Sequence, residues 1–371
     1  MSTLRLRVFA WLMIALCSSA AAAAEGNSEP TSQNNERLRQ GLRQIPAADS
    51  NQDGVLTMSE ARAFLAQRAR SPSPRKSGGK TKTGKAREGT AVPPTFADVK
   101  YGPHTRNVLD FWKSEQDGPR PLVVFIHGGG FRAGDKSKVR GDKIIQQCLD
   151  AGISFAAINY RFRPETPIPD ILRDCARTIQ FLRSQSVAWN IDKNRVAAYG
   201  GSAGAGTSLW LAFHDDLADP TNTDPVLRES SRLTCAGAQS CQFSYDIVKW
   251  KDLFGDAAVE YQVDGDLPAF YGLQTEQELL GPIGQRLRTD CDMVGMITRD
   301  DPPVFLSTNQ PGGEVKDRGH LLHHPRHAQA IQQRCAAVGI EAIASLPGLD
   351  IHPPAGKPQE LFEFLCQHLT R

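Results

Sequence analysis

The sequence predicts an α/β fold built on a mostly parallel sheet that helices cover on both faces. Between residues 95 and 371, short apolar runs typical of strands alternate with longer runs typical of helices. Two glycine-rich turns, His127–Phe131 and Gly200–Gly204, each follow one of these buried strands. Ligands of such sheets bind beyond the carboxyl ends of the strands, so we expect both turns at one edge of the sheet.

The predicted elements follow one another in a regular order. An antiparallel pair, residues 96–101 and 107–113, is expected to open the sheet. The strands expected after it are short and apolar, and they cover residues 122–126, 153–160, 195–199, 234–239, 303–307 and 340–346. The helices expected between them cover residues 137–151, 169–184, 207–213 and 327–338.

Ser202 stands at the centre of a G-x-S-x-G pattern that joins a predicted strand to a predicted helix. Such a turn strains the serine backbone and lifts its hydroxyl out of the turn, and only small neighbours fit where strand and helix pass closely. About 75 residues upstream, the amides of Gly128 and Gly129 are expected to form an oxyanion hole together with the amide of Ala203.

These two turns, together with the Asn-Tyr-Arg run at 159–161, resemble the α/β-hydrolase superfamily. Within it, the resemblance is to hormone-sensitive-lipase-like and feruloyl-esterase-like carboxylesterases. It covers roughly residues 95–371 and is strongest over 121–213. It implies the α/β-hydrolase fold, a nucleophilic serine, a chain order of serine, acid and histidine, and no cofactor for catalysis.

The resemblance places the base and its acid near the C-terminus. A histidine suits the base because its pKa lies near neutrality, and a carboxylate would fix its tautomer. His352 follows the last predicted strand and matches the catalytic histidine by position, although Pro353 replaces the small glycine common there. The acid is expected in the loop between the last two strands, where Asp317 fits best, with Glu314 and Asp350 as alternatives.

Four histidines cluster just after this loop, at positions 320, 323, 324 and 327. His323 and His327 are four residues apart, which on one helix would place them on the same face and suggest a metal site. Pro325 lies between them, however, and predicts that a helix starts there. We therefore favour a loop that leads into a helix near the active site, with a metal site as the alternative.

Residues 49–60 fit the calcium-binding loop pattern D-x-[DN]-x-[DN]-G-x₅-E in full, and residues 34–69 resemble a single EF-hand. Hard oxygen ligands suit Ca²⁺. The resemblance implies that Thr57 acts through water and that the direct ligands are Asp49, Asn51, Asp53, the Val55 carbonyl and Glu60. EF-hands usually pair and this segment stands alone, so we expect a structural or tethering calcium site.

Two segments outside the predicted domains, the N-terminus and a linker, have biased compositions. Residues 1–24 combine Arg5 and Arg7 with an apolar run and an Ala-rich end, which predicts a signal peptide and an exported, periplasmic or extracellular protein. Residues 70–94 are rich in Ser, Pro, Gly and Lys and predict a solvated linker before the catalytic domain at 95–371.

The charge balance bears on nucleic-acid binding, and the cysteine positions bear on possible disulfides. Removing residues 1–24 leaves 41 basic and 41 acidic residues, a balance that gives no indication of nucleic-acid binding. Of the seven remaining cysteines, Cys235 and Cys241 are close enough to staple a loop. The thiols expected to pack as small hydrophobic groups in helices are Cys148, Cys175, Cys335 and Cys366.

The sequence thus predicts an exported serine carboxylic-ester hydrolase with Ser202, His352 and Asp317 as its triad. The resemblance suggests short-chain or aryl esters, such as acetyl or feruloyl groups on small molecules or polysaccharide. Two alternatives remain: an inactive binding module of the same fold tethered by the calcium segment, and an amidase or peptidase. No stable membrane span is expected, and the oligomeric state is left open.

Overall fold

The structure is a computed structural model that describes residues 31–35, 38–39, 42–43, 48–51, 53–60, 92–261 and 266–370. The chain divides into two compact units, Met1–Ala86 and Arg87–Arg371. The predicted signal peptide and most of the predicted linker, residues 70–91, lie outside the described residues.

The larger unit contains one eight-stranded sheet. Its spatial order is β1-β2-β4-β3-β5-β6-β7-β8. The strands, in chain order from β1 to β8, are Phe96–Lys100, Val108–Trp112, Arg120–Ile126, Ser154–Ile158, Ile191–Gly201, Cys235–Gln239, Val304–Ser307 and Ala342–Ser345. β2 runs antiparallel to both of its neighbours, and all pairings from β4 to β8 are parallel. The predicted mostly parallel sheet is confirmed.

Thirteen α-helices lie within the described part of this unit. In chain order, α1 to α13 are Lys143–Asp150, Ile168–Ser184, Ser186–Trp189, Ala203–Phe213, Trp250–Phe254, Ala257–Glu260, Leu267–Phe270, Glu276–Leu280, Pro282–Asp290, Met293–Met296, Arg318–His323, Arg326–Val338 and Leu361–Leu369. The predicted helix over residues 137–151 is shorter than expected. A 3₁₀ turn at Lys136–Val139 and Gly141 at φ +85° separate its first part from α1.

The helices bury two separate apolar cores, one on each face of the sheet. Successive side chains of a strand point to opposite faces, so Leu122 and Val124 of β3 enter one core while Val123 enters the other. α2, α4 and α12 cover the first core, and α1 and α13 cover the second. β3 and β5 are therefore buried on both sides, and their carboxyl ends are rigid supports for the turns that follow them.

The expected loop staple between Cys235 and Cys241 is wrong. Both thiols are free and buried, and they lie on opposite faces of the sheet: Cys235 packs in the second core and Cys241 in the first. The other thiols in the described residues are free as well. Cys148, Cys175 and Cys335 are fully buried, as expected of small hydrophobic groups, whereas Cys366 is only partly buried against the second core.

Among the described residues, the longest helices are too short or too polar to cross a bilayer.

Candidate active site

The turn between β5 and α4 holds Ser202 in a strained backbone conformation. Its φ of 54° and ψ of −120° lie in a region that costs a non-glycine residue on the order of 1–3 kcal/mol. Its amide donates to the carbonyl of Gln239 at 2.9 Å, which ties the turn to the end of β6. Its side chain makes no capping bond to α4, so the hydroxyl is available to another partner.

The glycines of this turn are required by close packing against the end of β3. A Cβ built on Gly204 would lie 2.0 Å from the carbonyl oxygen of Ile126, and one built on Gly200 would lie 2.3 Å from the same atom. Real Cβ atoms do not approach this closely, so any larger residue would force β3 and the turn apart. The pattern that singled out Ser202 in the sequence thus has a steric cause.

The loop after β3 brings Gly128 against the same turn. A Cβ on Gly128 would lie 2.5 Å from the carbonyl oxygen of Gly201 and 3.3 Å from the Cβ of Ser202. The carbonyl of Gly128 bonds to His127 Nδ1 at 2.8 Å, and that of Gly129 accepts two amides within the loop. These bonds fix the peptide planes of the loop beside Ser202.

Ala203 completes the set of expected oxyanion donors. It is the first residue of α4, and the amides of a helix's first turn have no acceptor within the helix. The structure therefore brings together Ser202 and two of its expected donors, Gly128 and Ala203, with Gly129 next in the loop.

His323 is the hydrogen-bond partner of Ser202. The distance from Ser202 Oγ to His323 Nε2 is 2.8 Å. His323 Nδ1 lies 3.1 Å from the carbonyl oxygen of Gly319, one helical turn earlier in α11. Because a carbonyl can only accept, Nδ1 carries the proton and Nε2 is left to accept from the serine hydroxyl.

Burial lowers the pKa of His323 below its ordinary value, and the bond to the Gly319 carbonyl opposes this shift only in part. A neutral imidazole is the form that can take a proton from Ser202.

Known proteins match parts of the chain. A family model described as BD-FAE matches residues 109–245. A probable isoprenylcysteine alpha-carbonyl methylesterase of Arabidopsis thaliana is 34% identical over 122 residues, which is 33% of this chain and 28% of the relative. The probable carboxylic ester hydrolase LipM of Mycobacterium tuberculosis is 24% identical over 239 residues, covering 56% of this chain and 53% of LipM. The chain thus spans less than two thirds of either relative.

Solved structures match over more of the chain. A truncated carbohydrate esterase from gut microbiota superposes with a TM-score of 0.57 and 16% identity, covering 78% of this chain and 100% of that one. The chain has the α/β-hydrolase fold. An acetyl ester-xyloside bifunctional hydrolase from Caldicellulosiruptor lactoaceticus agrees, with a TM-score of 0.51, 20% identity and coverage of 70% and 87%. LipM is named as a probable carboxylic ester hydrolase and the Arabidopsis relative as a probable methylesterase, so over part of its length the chain is similar to carboxylic-ester hydrolases.

The structure does not bring His352 to Ser202. The His352 side chain is 63% exposed, and its Nε2 lies 3.2 Å from the exposed carboxylate of Asp350. A bridge between Leu346 and Ile351 closes a tight turn just after β8, and His352 follows it directly. His352 holds the sequence position at which we expected the catalytic histidine, but its ring is mostly exposed and is not the hydrogen-bond partner of Ser202.

The turn after β8 packs against the loop between β7 and α11. A Cβ on Gly312 would lie 2.2 Å from the carbonyl oxygen of Gly348, so the two loops pack backbone to backbone. The loop between β7 and α11 thus packs against the turn that precedes His352. This long-range contact has no signal in the local sequence.

Asp317 is not hydrogen-bonded to His323 in the structure. It is the N-cap of α11, and its Oδ1 accepts the amide of His320 at 2.8 Å. The alternatives Glu314 and Asp350 are both exposed. Within the described residues, the partner of His323 Nδ1 is the Gly319 carbonyl, and no carboxylate bonds to this ring.

The other three histidines of the cluster bind main-chain atoms. The Nε2 atoms of His320, His324 and His327 lie 2.8–3.0 Å from the carbonyl oxygens of Pro311, Gly313 and Leu321. Each Nδ1 accepts a backbone amide. Across the described ranges, no His, Cys, Asp and Glu side chains form a group that could hold a metal ion. The expected loop before the helix at 327–338 is only partly right, because His320 and His323 lie in α11, a short helix that was not predicted, and a helix does start next to Pro325.

In the smaller unit, the chemistry of the 49–60 loop is compatible with calcium. Asp49 is 7% exposed; its Oδ2 accepts the Gly54 amide at 2.9 Å, while its buried Oδ1 has no hydrogen-bond partner. Gly54 has φ +80°, as the sharp turn requires. The amide and hydroxyl of Thr57 hold the pKa of Glu60 at about 2, so this carboxylate is ionised. Oxygen donors fit, although the carboxylates bond to the loop's own residues.

This loop pairs with a neighbouring stretch of its own chain. Thr31 forms an antiparallel bridge with Thr57, and the amide of Ser32 donates to the Leu56 carbonyl at 2.8 Å. The side chains that form the apolar cluster beneath it are Leu38, Leu42, Ala48, Leu56 and Met58. Residues 31 and 32 therefore pair with this edge of the 49–60 loop.

Proposed function

We propose that the chain is a serine carboxylic-ester hydrolase whose base is His323. The observation that carries this proposal is the 2.8 Å contact between Ser202 Oγ and His323 Nε2. The relatives named as esterases support the type of reaction, and the strained turn and the glycine loop supply its usual surroundings.

The reaction follows from this geometry. Ser202 Oγ attacks the ester carbonyl carbon while His323 Nε2 takes its proton. The amides of Gly128, Gly129 and Ala203 donate to the negatively charged oxygen that develops. Protonated His323 returns the proton to the departing alcohol, which leaves an acyl-serine. Water, deprotonated by His323, then attacks the acyl carbonyl; the acid is released and Ser202 recovers its proton.

The Gly319 carbonyl performs one of the two tasks of a triad carboxylate. It holds the proton on His323 Nδ1 and so keeps the correct tautomer. It carries no full charge, so it stabilises the imidazolium less than a carboxylate would. We therefore propose a Ser202–His323 dyad with a main-chain orienting group in place of a Ser-His-Asp triad.

For substrates, we propose short-chain or aryl esters, of the acetyl or feruloyl type, on small molecules or polysaccharide. The solved structures of similar fold include a carbohydrate esterase and an acetyl ester hydrolase, which is consistent with acyl groups carried on sugars. A profile over p-nitrophenyl esters from acetate to laurate, with acetylated xylan and methyl ferulate alongside, tests this assignment. Hydrolysis of long-chain esters alone would refute it.

Substituting the two candidate bases tests the dyad directly. We expect Ser202→Ala to abolish turnover and His323→Ala to lower kcat by about 10²–10⁴-fold, the usual contribution of a general base. His352→Ala should retain full activity because its ring is exposed. Loss of activity in His352→Ala with an active His323→Ala would refute the dyad. A well-folded protein that cleaves no ester would favour the binding module, and cleavage of anilides instead would favour the amidase.

We also propose that residues 49–60 bind calcium through Asp49, Asn51, Asp53, the Val55 carbonyl and Glu60. The buried, unpartnered Oδ1 of Asp49 supports this proposal. Calorimetric titration of the full chain with Ca²⁺ should show one site that Asp49→Ala and Glu60→Gln both abolish. Unchanged binding in both variants would contradict it.

Finally, we propose that residues 1–24 direct export. The N-terminal sequence of the mature protein, recovered from cell fractions, should begin at Glu25. An intact N-terminus in the cytoplasmic fraction would contradict export.

A further inference from the structure

The helix that carries His323 is too short to hold its own shape. α11 has six residues, Arg318–His323, and isolated helices below about 12 residues are marginal in water. His323 is its last residue, so the position of the ring depends on the final turn. The carbonyls of that turn have no donor within the helix and must find partners elsewhere.

Gln242 supplies one of these partners. Its Nε2 donates to the carbonyl of Leu322 at 2.7 Å, and its side chain is 5% exposed. Gln242 lies shortly after β6, the strand whose end also accepts the Ser202 amide. The bond therefore fixes the end of α11 to the same part of the sheet that holds the nucleophile.

His327 supplies the other partner through a fully buried ring. Its Nδ1 accepts the Phe243 amide at 3.2 Å, so its protonated Nε2 donates to the Leu321 carbonyl at 2.9 Å. The rings of Trp250 and Phe254 pack against it, with centroids at 4.6 and 4.7 Å. The imidazole is thus a rigid connection between the chain after β6 and the last turn of α11.

We propose that Gln242 and His327 are positioning residues for the base: together they hold the C-terminal carbonyls of α11 and so keep His323 within reach of Ser202. The proposal rests on the proposed function in naming His323 as the base. Neither side chain is hydrogen-bonded to Ser202; their bonds go to the backbone carbonyls of Leu321 and Leu322. A misplacement of the base by about 1 Å can cost about 100-fold in rate.

Matched glutamine variants give the sharpest test. Gln242→Met removes one buried amide and keeps the length of the side chain. Gln180→Met removes the same group from a similarly buried glutamine on α2, whose Nε2 donates to the Glu229 carbonyl at 2.9 Å. Both variants should lower the melting temperature of the full chain. Only Gln242→Met should lower kcat, by about 10- to 100-fold, with KM within about twofold.

His327 offers a test by partial rescue. His327→Met removes both bonds, whereas His327→Gln retains a donor near the position of Nε2. We expect kcat to decrease in the order wild type, His327→Gln, His327→Met. Equal kcat in the two variants at equal melting temperature would overturn the role of the bond to Leu321.

Histidine NMR gives a readout that does not need turnover. Burial lowers the pKa of His323, so a loosened and more hydrated ring should titrate at higher pH in Gln242→Met and His327→Met, and as in wild type in Gln180→Met. An unchanged His323 titration and kcat in Gln242→Met would overturn the proposal. If wild type hydrolyses no ester, the proposed function fails, and the NMR titration still decides whether these residues hold the ring.

Discussion

Replacing Asp317 by asparagine separates two roles for this side chain, the predicted triad acid and the observed helix cap. Asparagine caps helices about as well as aspartate, so Asp317→Asn keeps the bond to the His320 amide. It loses only the interaction of a charge with the helix end, worth about 0.3–1 kcal/mol. Even if this whole free energy were added to the activation barrier, kcat would fall by about fivefold at most.

Alanine at the same position removes the cap itself. Loss of an N-cap costs about 0.5–2 kcal/mol of helix stability, which limits the loss in kcat to about 30-fold. A triad acid behaves differently, because its replacement by asparagine selects the wrong histidine tautomer and lowers kcat by about 10⁴-fold. For Asp317→Asn, the loss in kcat expected of a triad acid thus exceeds the loss expected of a helix cap by more than three orders of magnitude.

The assay is kcat/KM on p-nitrophenyl acetate for wild type, Asp317→Asn and Asp317→Ala, with melting temperatures measured in parallel. We expect the asparagine variant to be the more active of the two and close to wild type. Glu314→Gln and Asp350→Asn serve as controls and should be unchanged, since both carboxylates are exposed. A fall of 10³-fold or more in Asp317→Asn at an unchanged melting temperature would refute the reasoning and restore the triad.

Three further predictions follow from the same structure. Because burial lowers the pKa of His323, the acid limb of the pH profile of kcat/KM should lie below pH 6.5, and a limb at pH 7 or above would contradict this. Gly204→Ala should lower the melting temperature strongly because its Cβ would lie 2.0 Å from a carbonyl oxygen, whereas at Gly201 the nearest atom is 3.9 Å away and alanine should fit. His127 and His327 are buried and neutral, with pKa values of about 4 and 3, below the ordinary 6.5. Below pH 6.5 the unfolded chain therefore binds more protons than the folded chain. As the pH falls from 5.5 to 4.5, the free energy of unfolding should decrease by up to about 2.7 kcal/mol, the value for two protons. Urea unfolding at several pH values measures this change, and an unfolding free energy that does not vary with pH would contradict it.

The sheet and the nucleophile turn could be predicted because their causes are local. Glycines are required on both sides of Ser202 because the turn passes close to the end of β3, and the distances from Gly200 and Gly204 to the Ile126 carbonyl show this requirement. The alternation of strands and helices likewise reflects which faces each element buries, and it predicted the parallel order of the sheet.

The partner of Ser202 could not be predicted in the same way, because it depends on contacts between distant loops. His352 occupies the expected sequence position, but the packing of Gly312 against Gly348 fixes its loop elsewhere. The histidine cluster was visible, yet nothing in its spacing distinguishes His323 from its neighbours. The four rings differ in the carbonyl oxygen that each of them contacts. That carbonyl lies up to 11 residues from its histidine along the chain, as for Gly313 and His324.

The absence of a carboxylate on His323, within the described residues, has linked consequences for rate and for pH. A carboxylate beside the ring would stabilise the imidazolium, which raises the pKa of the base and lowers the barrier to proton transfer. The Gly319 carbonyl fixes the same tautomer but supplies only a dipole, so burial dominates and the pKa of His323 falls. The base then remains neutral at lower pH but is weaker when neutral. We therefore expect a slower ester hydrolase with an extended acid range, and the two properties should change together if a charge is introduced near Nδ1.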